Sequence, residues 1–499
     1  MYTCQKADEY IEKNRVDRAD KPEFHLTTPV GWLNDPNGFS IYKGKVHLFY
    51  QFHPYSTEWG PMHWGHSSSK DFIKWEELPT ALAPDSEFDS FGCFSGTAIE
   101  NDGKHVLFYT GVVEEKLADG TKNVIQNQCM AVGDGISYEK ISSNPVVDGK
   151  IMPEECSRAD FRDPKVWKDA DGRYYMLAGN RTYDGIPQVV LFSSDDMYNW
   201  KFESVFAKDE TGRFGAVWEC PDYFETEGRK ILSTSVQGLE GGVWDARNVY
   251  QSGYFLVEGD ILSEYVLSDY ELWDYGFDYY APQSFLAPDG RRIMVGWANE
   301  WEWMPSWKDW GPTYKEGWCG SFNIPMEVRL MKDSTLQFLP IKEIESLRQG
   351  GQFWDNLVVT EDELELKAGD GVTFELKMKI DLEKTDADKL EFTLRCGEDK
   401  KTVCMFDFKK AEMTVNRNNA DGWSRGISRS VMYLNNKKEL DVHILSDQSS
   451  LEIFTSEYQN NHSNNIFAGN FQNQLKVRAY GGSVAIKDIE TYGLKDCYC

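Results

Sequence analysis

One hairpin is written into this chain five times, and that repetition limits the fold more than any other feature. The copies are DPNGFSIYKGKVHLFYQF from Asp35, SGTAIENDGKHVLFYTGV from Ser95, DPKVWKDADGRYYMLAGN from Asp163, PDYFETEGRKILSTSVQG from Pro221 and APQSFLAPDGRRIMVGWAN from Ala281. Each has two apolar runs around a turn of the form x-Gly-Lys/Arg. The turn glycines, Gly44, Gly103, Gly172, Gly228 and Gly290, are 56 to 69 residues apart, room for about four strands per unit. A supersecondary unit repeated at such a period buries its apolar face only by stacking on its neighbours. The expected fold is therefore all-β, a five-bladed β-propeller. A second echo supports it: Ser69-Lys70-Asp71 followed by Trp75 matches Ser194-Asp195-Asp196 followed by Trp200. Unrelated hairpins in a β-sandwich are the alternative, since Asp-Gly turns are common there too.

After about Leu347 the blade signature stops. Charged, alternating segments follow at Val358 to Leu366, Thr373 to Ile380 and Leu390 to Leu394, the pattern of a β-sandwich. The expected organisation is a propeller over residues 1–345 with a short helical lead-in from Lys6 to Arg15, a linker over 346–355 around Gly350 and Gly351, and a sandwich over 356–499.

The formal net charge of −28 disfavours nucleic acid and anionic membrane surfaces, which would be repelled at long range. A small neutral partner fits better. The residues after Met1 are polar, without the apolar core of an export signal, and ten cysteines are scattered with no C-x-x-C pair. The reading is a soluble, cytosolic protein with reduced thiols. The closing Cys-Tyr-Cys is read as inert, and nothing in the sequence encodes an oligomeric state.

Counting nine residues back from each turn glycine lands on Asp35, Phe94, Asp163, Glu219 and Ala281. In a propeller, equivalent positions on the innermost strands surround one channel, so Asp35, Asp163 and Glu219 are expected to converge. Gathering three carboxylates is electrostatically unfavourable. Glycoside hydrolysis needs such a group: one ionised carboxylate attacks the anomeric carbon and one protonated carboxyl serves the leaving oxygen. Repulsion within the cluster would help keep the acid protonated.

Trp32, Trp59, Trp64, Trp218, Trp301 and Trp303 flank the blade ends, where flat rings can pack on sugar C–H surfaces or simply fill the core. Arg162 could hydrogen-bond hydroxyls. His63 and His66, three apart on a strand or turn, point apart and are not read as metal ligands. Cys220, beside Glu219, is read as a wall residue.

These residues carry a resemblance. Trp32-Leu33-Asn34-Asp35-Pro36-Asn37-Gly38, Phe94-Ser95-Gly96-Thr97-Ala98, Phe161-Arg162-Asp163-Pro164 and Trp218-Glu219-Cys220-Pro221-Asp222 resemble, in order and spacing, the motifs of glycoside hydrolase family 32. Asp278-Tyr279-Tyr280-Ala281-Pro282-Gln283, Gly317-Trp318-Cys319-Gly320 and Ser449-Ser450-Leu451-Glu452-Ile453-Phe454 extend the similarity over essentially the whole chain. Pro325-Met326-Glu327 departs from the family's Pro-Arg-Glu, a change expected at a blade edge.

The resemblance implies a five-bladed propeller followed by a C-terminal sandwich, and release of terminal β-fructofuranosyl groups from sucrose or short fructo-oligosaccharides with retention. It implies Asp35 as nucleophile, Glu219 as general acid/base and Asp163 as transition-state stabiliser beside Arg162. Asn34, Gln51, Trp59, Phe94, Ser95, Tyr280 and Trp301 would shape the fructose subsite. Retaining chemistry calls for roughly 5–5.5 Å between the two carboxyls, and no metal or organic cofactor is required. Three other readings stay open: fructosyl transfer on the same residues, inversion by a related propeller, and a binding-only propeller, for which one carboxylate should have been replaced. Sucrose, sucrose 6-phosphate, inulin-type and levan-type sugars are not separated by sequence, although the acidic balance disfavours a phosphorylated one.

Overall fold

The computed structural model describes residues 2–18, 21–239, 248–302, 311–332 and 335–498. The five hairpins open five antiparallel sheets. Their first strands are Gly31–Tyr42, Gly92–Asn101, Cys156–Lys168, Val217–Thr226 and Tyr280–Leu286, and each sheet carries four strands in meander order, the first and fourth sheets with short additions. This is the five-bladed β-propeller, and it is followed by a β-sandwich of two six-stranded sheets. The Ser-x-Asp echo is one turn used twice, between the third and fourth strands of blades one and three. Asp71 Oδ1 accepts from the N–H groups of Ile73 and Lys74 at 3.1 and 2.9 Å, and Asp196 Oδ1 from those of Tyr198 and Asn199 at 2.9 and 2.8 Å.

Side chains stitch the innermost strands together around the channel. Thr97 Oγ1 donates to the Pro164 carbonyl at 2.9 Å and accepts from Val166 N–H at 3.0 Å, linking blades two and three. Asp222 binds Lys165 Nζ of blade three at 2.7 Å and accepts from Ser284 N–H of blade five at 2.6 Å. Gln283 of blade five donates to the Gly96 carbonyl at 2.8 Å. The first strands belong to separate sheets, so these polar side chains, rather than a shared ladder, link neighbouring blades and satisfy backbone groups at the channel wall.

Three expectations need correcting. The helix runs Cys4–Asn14, capped by Thr3 and tied to the first blade where Asp8 accepts from Thr80 N–H at 2.9 Å. Residues 346–355 are not a linker: a 3-10 helix over Lys342–Leu347 leads directly into the edge strand Arg348–Val359, paired with Val484–Leu494. Gly350 and Gly351 sit at the register shift in that pairing, so they mark a bulge rather than a break. Met326 is buried on the third strand of the fifth blade, with its sulfur 3.4 Å from Asn461 Nδ2 of the sandwich. The position lies under the second domain, not at a blade edge.

The sandwich is bolted to the propeller by buried charges. Arg417 pairs with Asp278, both side chains fully buried, and Asp278 also accepts from Asn465 N–H at 2.7 Å. His25 sits between Asp447 and Glu452 at 2.8 and 3.2 Å. Replacing Arg417 by Met should lower unfolding stability by about 3–5 kcal/mol, because Asp278 is left as a buried carboxylate without its cation. Chemical denaturation measures this, and a loss below about 1 kcal/mol would mean that the pair does not hold the domains together.

Candidate active site

The channel mouth is built from a repeated defect in the ladder. In every blade the first strand is bulged against the second: between Leu33 and Pro36, Phe94 and Gly96, Arg162 and Lys165, Glu219 and Asp222, and Tyr280 and Gln283. A bulge turns successive side chains to the same side of a strand, which is how neighbouring residues both reach the channel. Asp163, Cys220 and Ala281 adopt left-handed backbone with φ of 63°, 46° and 51°. Each of these conformations is pinned by its own N–H: Asp163 to Thr110 Oγ1 at 2.9 Å, Cys220 to Asp163 Oδ2 at 2.9 Å, and Ala281 to Ser235 and Ser252 hydroxyls at 3.1 Å.

The bulges also correct the equivalence inferred by counting. Cys220, not Glu219, occupies the place of Asp35 and Asp163, each being the residue before the bulge proline. Glu219 stands one residue earlier, in the place of Asn34, Arg162 and Tyr280. The offset arises because blade one has a second bulge, between Asn37 and Ser40, and blade three a longer turn, between Lys168 and Tyr174, whereas blade four runs without a further shift from Asp222 to Thr226 and turns tightly into Arg229. A constant count back from the turn is therefore out by one residue in blade four, yet Glu219 still faces the channel.

The three carboxylates do converge on one pocket of about 380 Å³, lined also by Asn34, Gln51, Trp59, Phe94, Ser95, Arg162 and Trp301. Asp35 Oδ2 accepts from Ser95 Oγ at 2.8 Å and lies 3.6 Å from Cys220 Sγ. Its Oδ1 is shielded and has no hydrogen-bond partner within bonding geometry among the described residues. Glu219 Oε1 receives Nε and Nη2 of Arg162 at 3.2 and 3.1 Å, and Oε2 receives the Tyr280 hydroxyl at 2.8 Å. Arg162 Nη1 continues to Asp160 at 3.0 Å.

Burial, reinforced by the Glu219 charge, lifts the Asp35 carboxyl from 3.8 to about 6, against hydrogen bonds from Ser95, Asn34 and Cys220. Burial also lifts Asp163 above the usual carboxylate range although Arg162 opposes it, with the Glu219 and Asp35 charges adding to the rise. Burial and the Glu219 charge push the Tyr280 phenol up, so it stays a neutral donor.

The tryptophans divide. Trp32, Trp64 and Trp218 are core, all but inaccessible, whereas Trp59 and Trp301 line the pocket. Trp59 packs edge-on against Phe94 at 5.8 Å between ring centroids, and Trp301 stacks on Trp32 at 6.1 Å. Trp303 falls outside the described residues. Tyr280 lies beneath the pocket wall rather than on it, acting through Glu219. His63 Nδ1 lies 2.8 Å from the Pro61 carbonyl and His66 Nε2 2.9 Å from His47 Nδ1, and no group of described residues is arranged to hold a metal ion.

Three lining residues were missed. Gln237 had a signal: it closes the second apolar run of its hairpin copy, as Gln51 does in the first. Gln126 and Tyr250 lie on third strands, outside the repeated hairpin. Gln126 accepts from Phe161 N–H at 2.9 Å and from Arg162 Nη1 at 3.4 Å.

A five-bladed propeller with paired carboxylates in its channel mouth and rings at the rim defines a glycosidase. Residues 25–340 match the glycosyl hydrolases family 32 N-terminal domain and residues 343–493 the family's C-terminal domain. The chain belongs to glycoside hydrolase family 32 and is a β-fructofuranosidase-type glycosidase. It is similar to a sucrose-6-phosphate hydrolase of Zymomonas mobilis, 37% identical over 450 residues that cover 88% of this chain and 84% of the relative. Among solved structures it resembles a Bombyx mori family 32 β-fructofuranosidase, with a TM-score of 0.81, 32% identity, and coverage of 99% and 98% of the two chains. It also resembles a Lactobacillus gasseri sucrose-6-phosphate hydrolase, with a TM-score of 0.82, 26% identity, and coverage of 99% and 97%.

Proposed function

We propose that the enzyme hydrolyses terminal β-fructofuranosyl bonds of sucrose and short fructo-oligosaccharides by double displacement, with Asp35 as nucleophile and Glu219 as general acid/base. The observation that carries this reading is the convergence of Asp35, Glu219 and Asp163 on one pocket. Asp35 attacks the anomeric carbon as Glu219 protonates the leaving oxygen, giving a fructosyl ester and a free alcohol. Glu219, now ionised, takes a proton from water, which attacks the same carbon and releases fructose and Asp35. Ser95 and Cys220 hold one oxygen of Asp35 and so fix the orientation of its carboxyl. Arg162 and Asp163 are suited to grip fructose hydroxyls, the guanidinium pre-set by Asp160 and Gln126.

A neutral substrate is favoured by the pocket itself. Among its described lining residues Arg162 is the sole cation, and its charge is already matched by Glu219 and Asp160. The names of two relatives favour sucrose 6-phosphate as a second reading. Comparing kcat/KM for sucrose, sucrose 6-phosphate and 1-kestose, with free fructose as the readout, separates them. Hydrolysis confined to the phosphorylated sugar would overturn the neutral assignment, and net oligomer formation at high sucrose would shift the reading to fructosyl transfer. The nine described cysteines are free thiols, which supports a reducing, cytosolic setting.

The Asp35 carboxyl titrates near 6 and must be ionised to attack. The expected acid limb of kcat/KM therefore falls about tenfold per pH unit below about pH 6. A profile flat down to pH 4.5 would remove Asp35 from that role.

A further inference from the structure

A second cavity, of about 200 Å³, shares no lining residue with the active-site pocket. It lies where the segment after the N-terminal helix, the first blade and the C-terminal tail meet. Its polar lining includes Arg15, Arg18, Lys21, Thr27, Glu77 and Tyr498. Arg15 and Glu77 satisfy each other through two contacts at 2.6 and 2.9 Å. Arg18 and Lys21 have no such match among the described residues. The Arg18 guanidinium lies 3.7 Å from the Tyr498 ring centroid and donates to the Pro22 carbonyl at 2.7 Å. Lys21 is 3% exposed and donates only to the carbonyls of Thr28 and Pro29, at 2.9 and 3.1 Å.

Around these cations three polar atoms are shielded from solvent and lack a hydrogen-bond partner among the described residues: Arg18 Nε, Thr27 Oγ1 and the Tyr498 hydroxyl. Buried donors left unmade, and a buried cation such as Lys21 left without a carboxylate contact, both cost free energy, while Arg18 is half-buried. Burial, with Arg18 adding its charge, pulls the Lys21 ammonium down to about 7, a measure of how poorly the site tolerates its own charge. Water filling the cavity would satisfy the hydroxyls but bring no negative charge to Arg18 and Lys21 beyond the more distant Glu77 and Glu316. An anion with several acceptor oxygens answers both deficits, since guanidinium, ammonium and hydroxyl are all donors suited to such a group.

We propose that this cavity binds a small oxyanion with the chemistry of phosphate, held by Arg18, Lys21, Thr27 and Tyr498, clasping the C-terminal tail to the propeller. The test is calorimetric titration of the full-length protein with inorganic phosphate, with thermal unfolding followed in phosphate and in sodium chloride of matched ionic strength. Saturable binding and a phosphate-specific rise in Tm are expected. Arg18→Met should weaken binding on the order of tenfold or more, with turnover of saturating sucrose unchanged. Tyr498→Phe keeps the ring and removes one donor, so it should weaken binding a few-fold, and it serves if Arg18→Met fails to fold. Glucose 6-phosphate is the arm that separates a free anion, which binds alone, from recognition of a sugar's phosphoryl group, in which case both bind. Absence of saturable binding, or binding that survives unchanged in both variants, overturns the proposal.

Discussion

Asp35→Asn should remove turnover and make the protein more stable. An amide cannot form the fructosyl ester, so kcat for sucrose should fall on the order of 10⁴-fold or more, as when other covalent nucleophiles are removed. The stability effect follows from the raised carboxyl. The folded state favours neutral Asp35, so the stability it contributes is complete below about pH 4 and lost as pH rises through about 6. Asn is neutral throughout and can still accept from Ser95, which removes the penalty. Since Asp35 keeps part of its surface open to the pocket, the gain is about 1–2 kcal/mol at pH 7, vanishing near pH 3.5. Urea denaturation at the two pH values checks it. A variant equally inactive but less stable at pH 7 would show that Asp35 is a structural carboxylate rather than one held against its own solvation.

Glu219→Gln should lower kcat for sucrose by about 10²–10⁴-fold, the range for loss of a general acid/base. The informative comparison is with a fructosyl donor whose leaving group needs no proton, such as fructosyl fluoride. Its first step should be largely spared, while the second step, which needs Glu219 as base, remains slow. Accumulation of a fructosyl-enzyme, seen by mass spectrometry of the intact protein, is therefore expected. Equal losses with both donors and no adduct would argue that Glu219 positions Arg162 and Tyr280 rather than moving a proton. Gln can still bond both partners, so misfolding is not expected to confuse the result.

Glu219 also shows where counting along the chain misplaces a residue and why the site survives the error. Counting from turn glycines treated every first strand as equally regular, but bulges make each strand's count its own, and blade four differs from blade one by one residue. The propeller brings any channel-facing carboxylate to the same mouth, so a one-residue error changed the equivalence without changing the site. The linker expected at 346–355 failed for a related cause: paired glycines signal a departure from regular backbone, and a bulge in an edge strand satisfies that signal as well as a break does.

The sequence alone determined the repeat, and with it five blades, because each hairpin carries its own apolar pattern and turn. It also determined which blades present carboxylates, since residue identity at a channel position needs no knowledge of packing. Only the tertiary structure decided which tryptophans line the pocket, because Trp32 and Trp301 have the same chemistry and differ only in what surrounds them. Tertiary structure likewise supplied Gln126 and Tyr250 from third strands outside the repeat, set the hydroxyl of Tyr280 on Glu219, and left Arg18 and Lys21 together without an ion-pair contact among the described residues. Local sequence fixes what each strand is. How strands from distant parts of the chain face one another is settled by burial and polar satisfaction summed over the whole fold, and no short stretch of residues carries that sum.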